Sequence, residues 1–194
     1  MKKNNLPNQL TMLRIFLIPV FIIFLSIPFN LGTLTFGNID LPIAQLIATI
    51  IFAIASFTDW LDGFLARRWH IVSNFGKFAD PLADKMLVMT AFIFLVPLEK
   101  APAWVIAIII CRELAVTGLR LLIVEQNGAV LAAAWPGKIK TATQMFAIIF
   151  LLLNNIPFGT IRIDLILLYL CLIFTIYSGY DYFAKNIDVF KNAD

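Results

Sequence analysis

The chain has 194 residues, 61% of them hydrophobic and only 14% charged, with a mean hydropathy of +0.89. A soluble core of this length could not bury so much apolar surface, so an ordinary globular domain is excluded and the composition is that of an integral membrane protein. The formal charge of +3 carries no nucleic-acid signal, because the cations sit at the ends of apolar runs, where membrane orientation places them.

Six apolar runs, each long enough to cross a hydrocarbon layer of roughly 30 Å, follow one another along the chain. The first spans Leu10 to Ile27 and is broken by Pro28, Asn30 and Gly32. The second spans Leu41 to Ala66, the third Phe78 to Leu98 and the fourth Ala103 to Val124, with Pro97 and Pro102 at the join between the last two. The fifth runs from Gly137 to Leu153, and the sixth from Leu165 to Phe183 after a polar turn. The expected fold is an all-α bundle of six transmembrane helices forming a single domain over residues 1–194. Pro7, Asn8 and Thr11 can start a short interfacial helix ahead of the first span.

Lys2, Lys3, Arg67, Arg68, Lys77, Lys138, Lys140, Lys185 and Lys191 fall on one side of such a bundle, against Lys100 and Arg162 on the other. Cytoplasmic flanks carry the excess of Lys and Arg, so both termini are expected in the cytoplasm and the chain in the cell membrane. Cys111 and Cys171 lie inside apolar runs, where buried, inert thiols are expected and a disulfide is not.

Asp59, Asp62, Asp80 and Asp84 are four of the chain's twelve acidic residues. On helices, residues three or four apart share a face, so the second and third runs can present two carboxylate pairs to each other. The connection from Arg68 to Phe75 is short enough to make those helices antiparallel neighbours. Clustered carboxylates repel, and the end of the second helix is unfavourable for Asp59 and Asp62 on dipole grounds, so compensating positive charge is required. An all-carboxylate set suits hard cations, Mg²⁺ or Mn²⁺, and two ions could bridge the pairs. Gly63 and Gly76 permit close backbone approach, and Arg67 offers a planar fork to a phosphate.

The pattern Asp59-x-x-Asp62-Gly63-x-x-Ala66-Arg67, eight residues, Gly76-x-x-x-Asp80-x-x-x-Asp84 resembles the signature of the CDP-alcohol phosphatidyltransferases. Every specified position is present, and chance would match a given start about once in 10⁹. The resemblance implies a six-helix membrane enzyme that transfers a phosphatidyl group from CDP-diacylglycerol to an alcohol and releases CMP. It makes Asp59, Asp62 and Asp80 metal ligands, with Asp80 also in the catalytic set, and Asp84 a ligand that doubles as general base. It makes Gly63, Arg67 and Gly76 the positions that receive the CDP-lipid. The family is commonly homodimeric, and a homodimer embedded among membrane lipids is expected.

The acceptor is read from a basic group inside the fourth and fifth runs. Arg112 and Arg120 can point towards one cavity, and Lys138 and Lys140 open the next helix. Such a group suits an acceptor that carries its own phosphate, with Lys85 and Arg14 as further candidates. Arg14 could instead snorkel to lipid phosphates, and Arg112 could pair with neighbouring acids. CRELAVTGLR, GKIKTATQM and LPNQLTMLR also resemble the family branch that forms phosphatidylglycerophosphate in bacteria, which implies sn-glycerol 3-phosphate as the acceptor. The alternatives are a cardiolipin-forming member, one using serine or an inositol phosphate, a prenyl transferase and a cation transporter. A transporter would spread its acids across bilayer depth, whereas these are gathered at one face.

Overall fold

The computed structural model describes residues 6–37, 39–69, 74–125 and 135–187, without the side chains of residues 6–8, 60, 62–81, 124, 125, 136 and 157. Six α-helices follow in chain order: α1 Leu6–Ser26, α2 Ile43–Trp69, α3 Asn74–Leu95, α4 Ala103–Glu125, α5 Trp135–Leu152 and α6 Ile163–Lys185. Each answers to one apolar run, with ends within about four residues of those expected, because turn-forming residues mark the breaks.

The expectation of an all-helical chain needs correction. Two strands, β1 Thr33–Phe36 and β2 Ile39–Pro42, pair antiparallel between α1 and α2, with Phe36 opposite Ile39. The first strand ends at a turn in which Gly37 takes a φ of +63°. Thr35 Oγ1 donates to Asp40 Oδ1 across the ladder at 2.9 Å, and Leu41 is buried beneath it. The separate amino-terminal helix is corrected too: Pro7, Asn8 and Thr11 belong to the first turns of α1, which is continuous to Ser26 with Pro19 inside it.

Packing sorts the helices into two groups joined by α5. α1 lies against α2 and α3, α6 lies against α5 and α4, and α5 also touches α2 and α3. The core between them is built from Phe21, Phe52, Leu87, Phe92, Ile109, Ile148, Leu151 and Leu168. Ala48, Ala55 and Ala91 are fully buried, and their small side chains let the helix backbones approach. Many large apolar side chains face outward instead, among them Phe16, Leu121 and Ile173. Among the described residues, Gln9–Ser26 in α1 and Ile163–Lys185 in α6 are long and apolar enough to cross a membrane.

Of the two cysteines, Cys171 is buried as expected, whereas Cys111 is exposed on the outer face of α4.

Candidate active site

α2 is helical through both Asp59 and Asp62, and α3 through both Asp80 and Asp84, so each pair lies about one turn apart on an unbroken helix. α2 runs on to Trp69, which leaves Asp59 well inside it and removes the adverse helix-end dipole expected there. Asp59 Oδ1 stands 2.7 Å from Nη1 of Arg14, whose side chain on α1 is completely buried. Arg14 therefore neither snorkels outward nor lines the basic cavity. Asp84 is half-buried on α3, and the charges of Asp59, Arg14, Lys140 and Glu113 all reach it. α1, α2 and α3 thus bring an Arg and two of the four expected aspartates into one electrostatic neighbourhood.

The side chains of Asp62, Gly63, Arg67, Gly76 and Asp80 lie outside the described residues. With two of the four aspartates in that interval, no group of three or more potential metal ligands stands among the described residues. The donor chemistry nevertheless fits a hard divalent ion, because Asp59 and Asp84 offer only carboxylate oxygen from two helices in contact.

Asp84 also forms part of the wall of a cavity of about 210 Å³ enclosed by α3, α4, α5 and α6. Four cations line it, Lys85, Arg112, Arg120 and Lys140, against the three carboxylates of Asp84, Glu113 and Asp181. Arg112 and Arg120 thus do meet at one cavity, as their eight-residue separation allows. Lys138 does not line it. Its ammonium lies 5.8 Å from the centre of the Trp135 ring and its side chain is exposed, because two residues along a helix turn a side chain about 200° away from Lys140.

Glu113 organises the cations. Its Oε1 accepts from Lys140 Nζ and, at 3.1 Å, from Arg112 Nη1, so the pairing of Arg112 with a neighbouring acid is real. Thr117 Oγ1 donates to the Glu113 carbonyl at 2.6 Å and accepts from Lys85 Nζ. α6 holds the two arginines from the opposite side. Ser178 Oγ accepts from Arg112 Nη2 at 2.8 Å, and the Tyr182 ring lies 5.5 Å from the Arg120 guanidinium carbon. Asp181 turns to Lys185 at 2.7 Å, so its charge is largely answered outside the cavity.

Arg112 Nε, Arg120 Nε, Gln144 Nε2 and Tyr182 Oη are buried and find no hydrogen-bond partner among the described residues. All four residues line this cavity. A buried donor without an acceptor costs about 1–3 kcal/mol, and an anion in this basic cavity would offer these donors acceptors.

Sequence reasoning missed Glu113 as the hub and Gln144, Ser178 and Tyr182 as wall residues. The α6 signal was readable, since Ser178, Asp181 and Tyr182 form a polar stripe at the end of an otherwise apolar helix.

The family model for CDP-alcohol phosphatidyltransferases matches residues 4–177. The chain belongs to the CDP-alcohol phosphatidyltransferase family. It is 48% identical over 192 residues to the CDP-diacylglycerol–glycerol-3-phosphate 3-phosphatidyltransferase of Bacillus subtilis strain 168, covering 98% of this chain and 99% of that one. It is 39% identical over 184 residues to the protein of the same name from Rickettsia bellii, covering 92% and 93%. A probable phosphatidylglycerophosphate synthase of Mycobacterium tuberculosis H37Rv is 37% identical over 184 residues, covering 94% and 82%.

Proposed function

We propose that this CDP-alcohol phosphatidyltransferase moves the phosphatidyl group of CDP-diacylglycerol to sn-glycerol 3-phosphate, giving phosphatidylglycerophosphate and CMP. The observation that carries the acceptor is the basic cavity beside Asp84, with its buried donors that lack partners among the described residues. A phosphate dianion matches that lining, whereas an acceptor without a phosphate, such as serine, would leave the excess of cations over what Glu113 answers and the partnerless donors unmet. The full-length relatives named for glycerol 3-phosphate support the same reading.

Asp84 at the wall of the basic cavity supports a displacement by the acceptor hydroxyl. Arg112, Arg120, Lys140 and Lys85 hold the acceptor phosphate, which brings its primary hydroxyl to the Asp84 wall of the cavity. Asp84 takes the hydroxyl proton as the acceptor oxygen forms its bond to the lipid-side phosphorus, and the bond from that phosphorus to the CMP oxygen breaks. Arg67, Gly63 and Gly76 receive the CDP moiety, and Arg14 keeps the Asp59 carboxylate oriented. Asp59, Asp62, Asp80 and Asp84 would hold two Mg²⁺ or Mn²⁺ ions, which supply charge neutralisation at the diphosphate.

In this reading all six helices cross the cell membrane as one domain spanning residues 1–194, with both termini and the active site at the cytoplasmic face, and the enzyme is a homodimer. The outward-facing apolar side chains and the excess of Lys and Arg at one end of the helices support that placement. Purified protein incubated with CDP-diacylglycerol and a panel of acceptors tests the assignment. CMP should be released with sn-glycerol 3-phosphate, and release with serine, an inositol phosphate or phosphatidylglycerol instead would refute it.

A further inference from the structure

We propose that Ser178 and Gly179 of α6 form a seat that orients the Arg112 guanidinium towards the acceptor, and so help to set acceptor affinity. This rests on the acceptor reading of the basic cavity. Neither residue is charged, and they act through Arg112 as positioning residues.

Two independent features make the seat. The Arg112 stem lies directly on the bare α-carbon of Gly179, where an added methyl group would stand 3.1 Å from Cγ and 3.2 Å from Nε. Carbon atoms in comfortable contact are about 3.5–4.0 Å apart, so any side chain at 179 must push the arginine away. Cγ is in the middle of the stem and Nε is part of the guanidinium, so a shift of a few tenths of an ångström at either bears on the group's aim. At the tip, Nη2 donates to Ser178 Oγ at 2.8 Å. That hydroxyl spends its own proton on the Thr175 carbonyl at 3.3 Å, which leaves its lone pairs for the arginine.

Glu113 completes the arrangement from α4 by accepting from Nη1 at 3.1 Å. Each terminal nitrogen carries a second hydrogen, so a seated Arg112 keeps donors for a phosphate while its plane is fixed. A displaced one would still be charged but no longer aimed, and geometry matters most for bidentate guanidinium contacts.

The test uses the full-length enzyme with both substrates varied. Gly179→Ala and Ser178→Ala should each raise the KM for sn-glycerol 3-phosphate by about 3- to 30-fold, with kcat and the KM for CDP-diacylglycerol within about twofold. Ser178→Thr, which keeps the hydroxyl, should restore the acceptor KM. In an Arg112→Ala background neither change should add more than about twofold, because the residue they act through is gone. Equal rises in both Michaelis constants, or full additivity with Arg112→Ala, would overturn the seat. So would an unchanged acceptor KM in both variants while Arg112→Ala raises it. Were Gly179→Ala to fail to fold, the Ser178→Ala and Ser178→Thr pair decides alone. If Arg112→Ala itself leaves the acceptor KM untouched, the acceptor reading falls and the seat falls with it.

Discussion

The two ends of the bundle spend their polar side chains in opposite ways. At the end that carries the hairpin, the groups close on one another. Gln45 donates to the Leu152 carbonyl and to Asn154 Oδ1, and Asn154 donates to the Asp40 carbonyl at 2.7 Å. Asn155 donates to the Ile161 carbonyl at 2.7 Å and accepts from the Asp164 amide, while Arg162 grips Asp164 with two bonds. Asn154 and Asn155 take left-handed backbone, which asparagine tolerates, so the turn itself belongs to this fastening. At the cavity end, arginine, glutamine and tyrosine atoms remain buried without partners among the described residues. Saturated polar groups hold a fold together, and unsaturated ones around a cavity await a ligand.

That contrast can be broken by substitutions at either end. The largest effect is expected from Asp84→Asn, which should lower kcat by about 10³-fold while leaving the thermal midpoint nearly unchanged. Near-normal CMP release by a purified, folded variant would remove Asp84 from the chemistry. EDTA should bring turnover to background and excess Mg²⁺ or Mn²⁺ should restore it, and undiminished activity after exhaustive chelation would exclude the metal proposal. Arg120→Ala should raise the KM for sn-glycerol 3-phosphate by about 10- to 100-fold, the worth of a hydrogen bond to a charged group, with a much smaller change for CDP-diacylglycerol. Equal changes in both would count against separate binding regions.

At the other end, Asn154→Ala should cost about 1–3 kcal/mol of stability by removing the acceptor of one Gln45 N–H and the donor to the Asp40 carbonyl, without altering either Michaelis constant. A drop in kcat/KM with unaltered stability would mean that the two ends are not divided as described. Lys138→Ala should change acceptor KM by less than about twofold, since its ammonium lies over Trp135 rather than in the cavity. A loss as large as that of Lys140→Ala would return Lys138 to the acceptor group.

Much of this was legible in the chain itself, for identifiable reasons. Helix positions follow from apolar runs interrupted by Pro, Gly and Asn, and the aspartates announce themselves because ionisable groups are costly among apolar neighbours. The hairpin escaped because strands of four residues carry too little alternation to stand out beside long apolar runs. Gly37 and Asn38 between Phe36 and Ile39 were nevertheless a two-residue hairpin signal. Treating Lys138 and Lys140 as a pair ignored helical geometry, which lets only one of them face a given cavity. The partnership of Arg14 with Asp59, and that of Arg112 with Ser178 and Gly179, joins residues far apart in the chain, and no local pattern encodes such contacts.

The Arg14–Asp59 pair has a consequence for biogenesis. An arginine at a helix centre costs about 2.5–3.5 kcal/mol on insertion scales, and less towards the interface. The ribosome makes α1 well before the carboxylate that answers its guanidinium. On the proposal that both helices cross the membrane, the pair would let α1 and α2 enter lipid together as a charge-neutral hairpin, at lower cost than α1 alone.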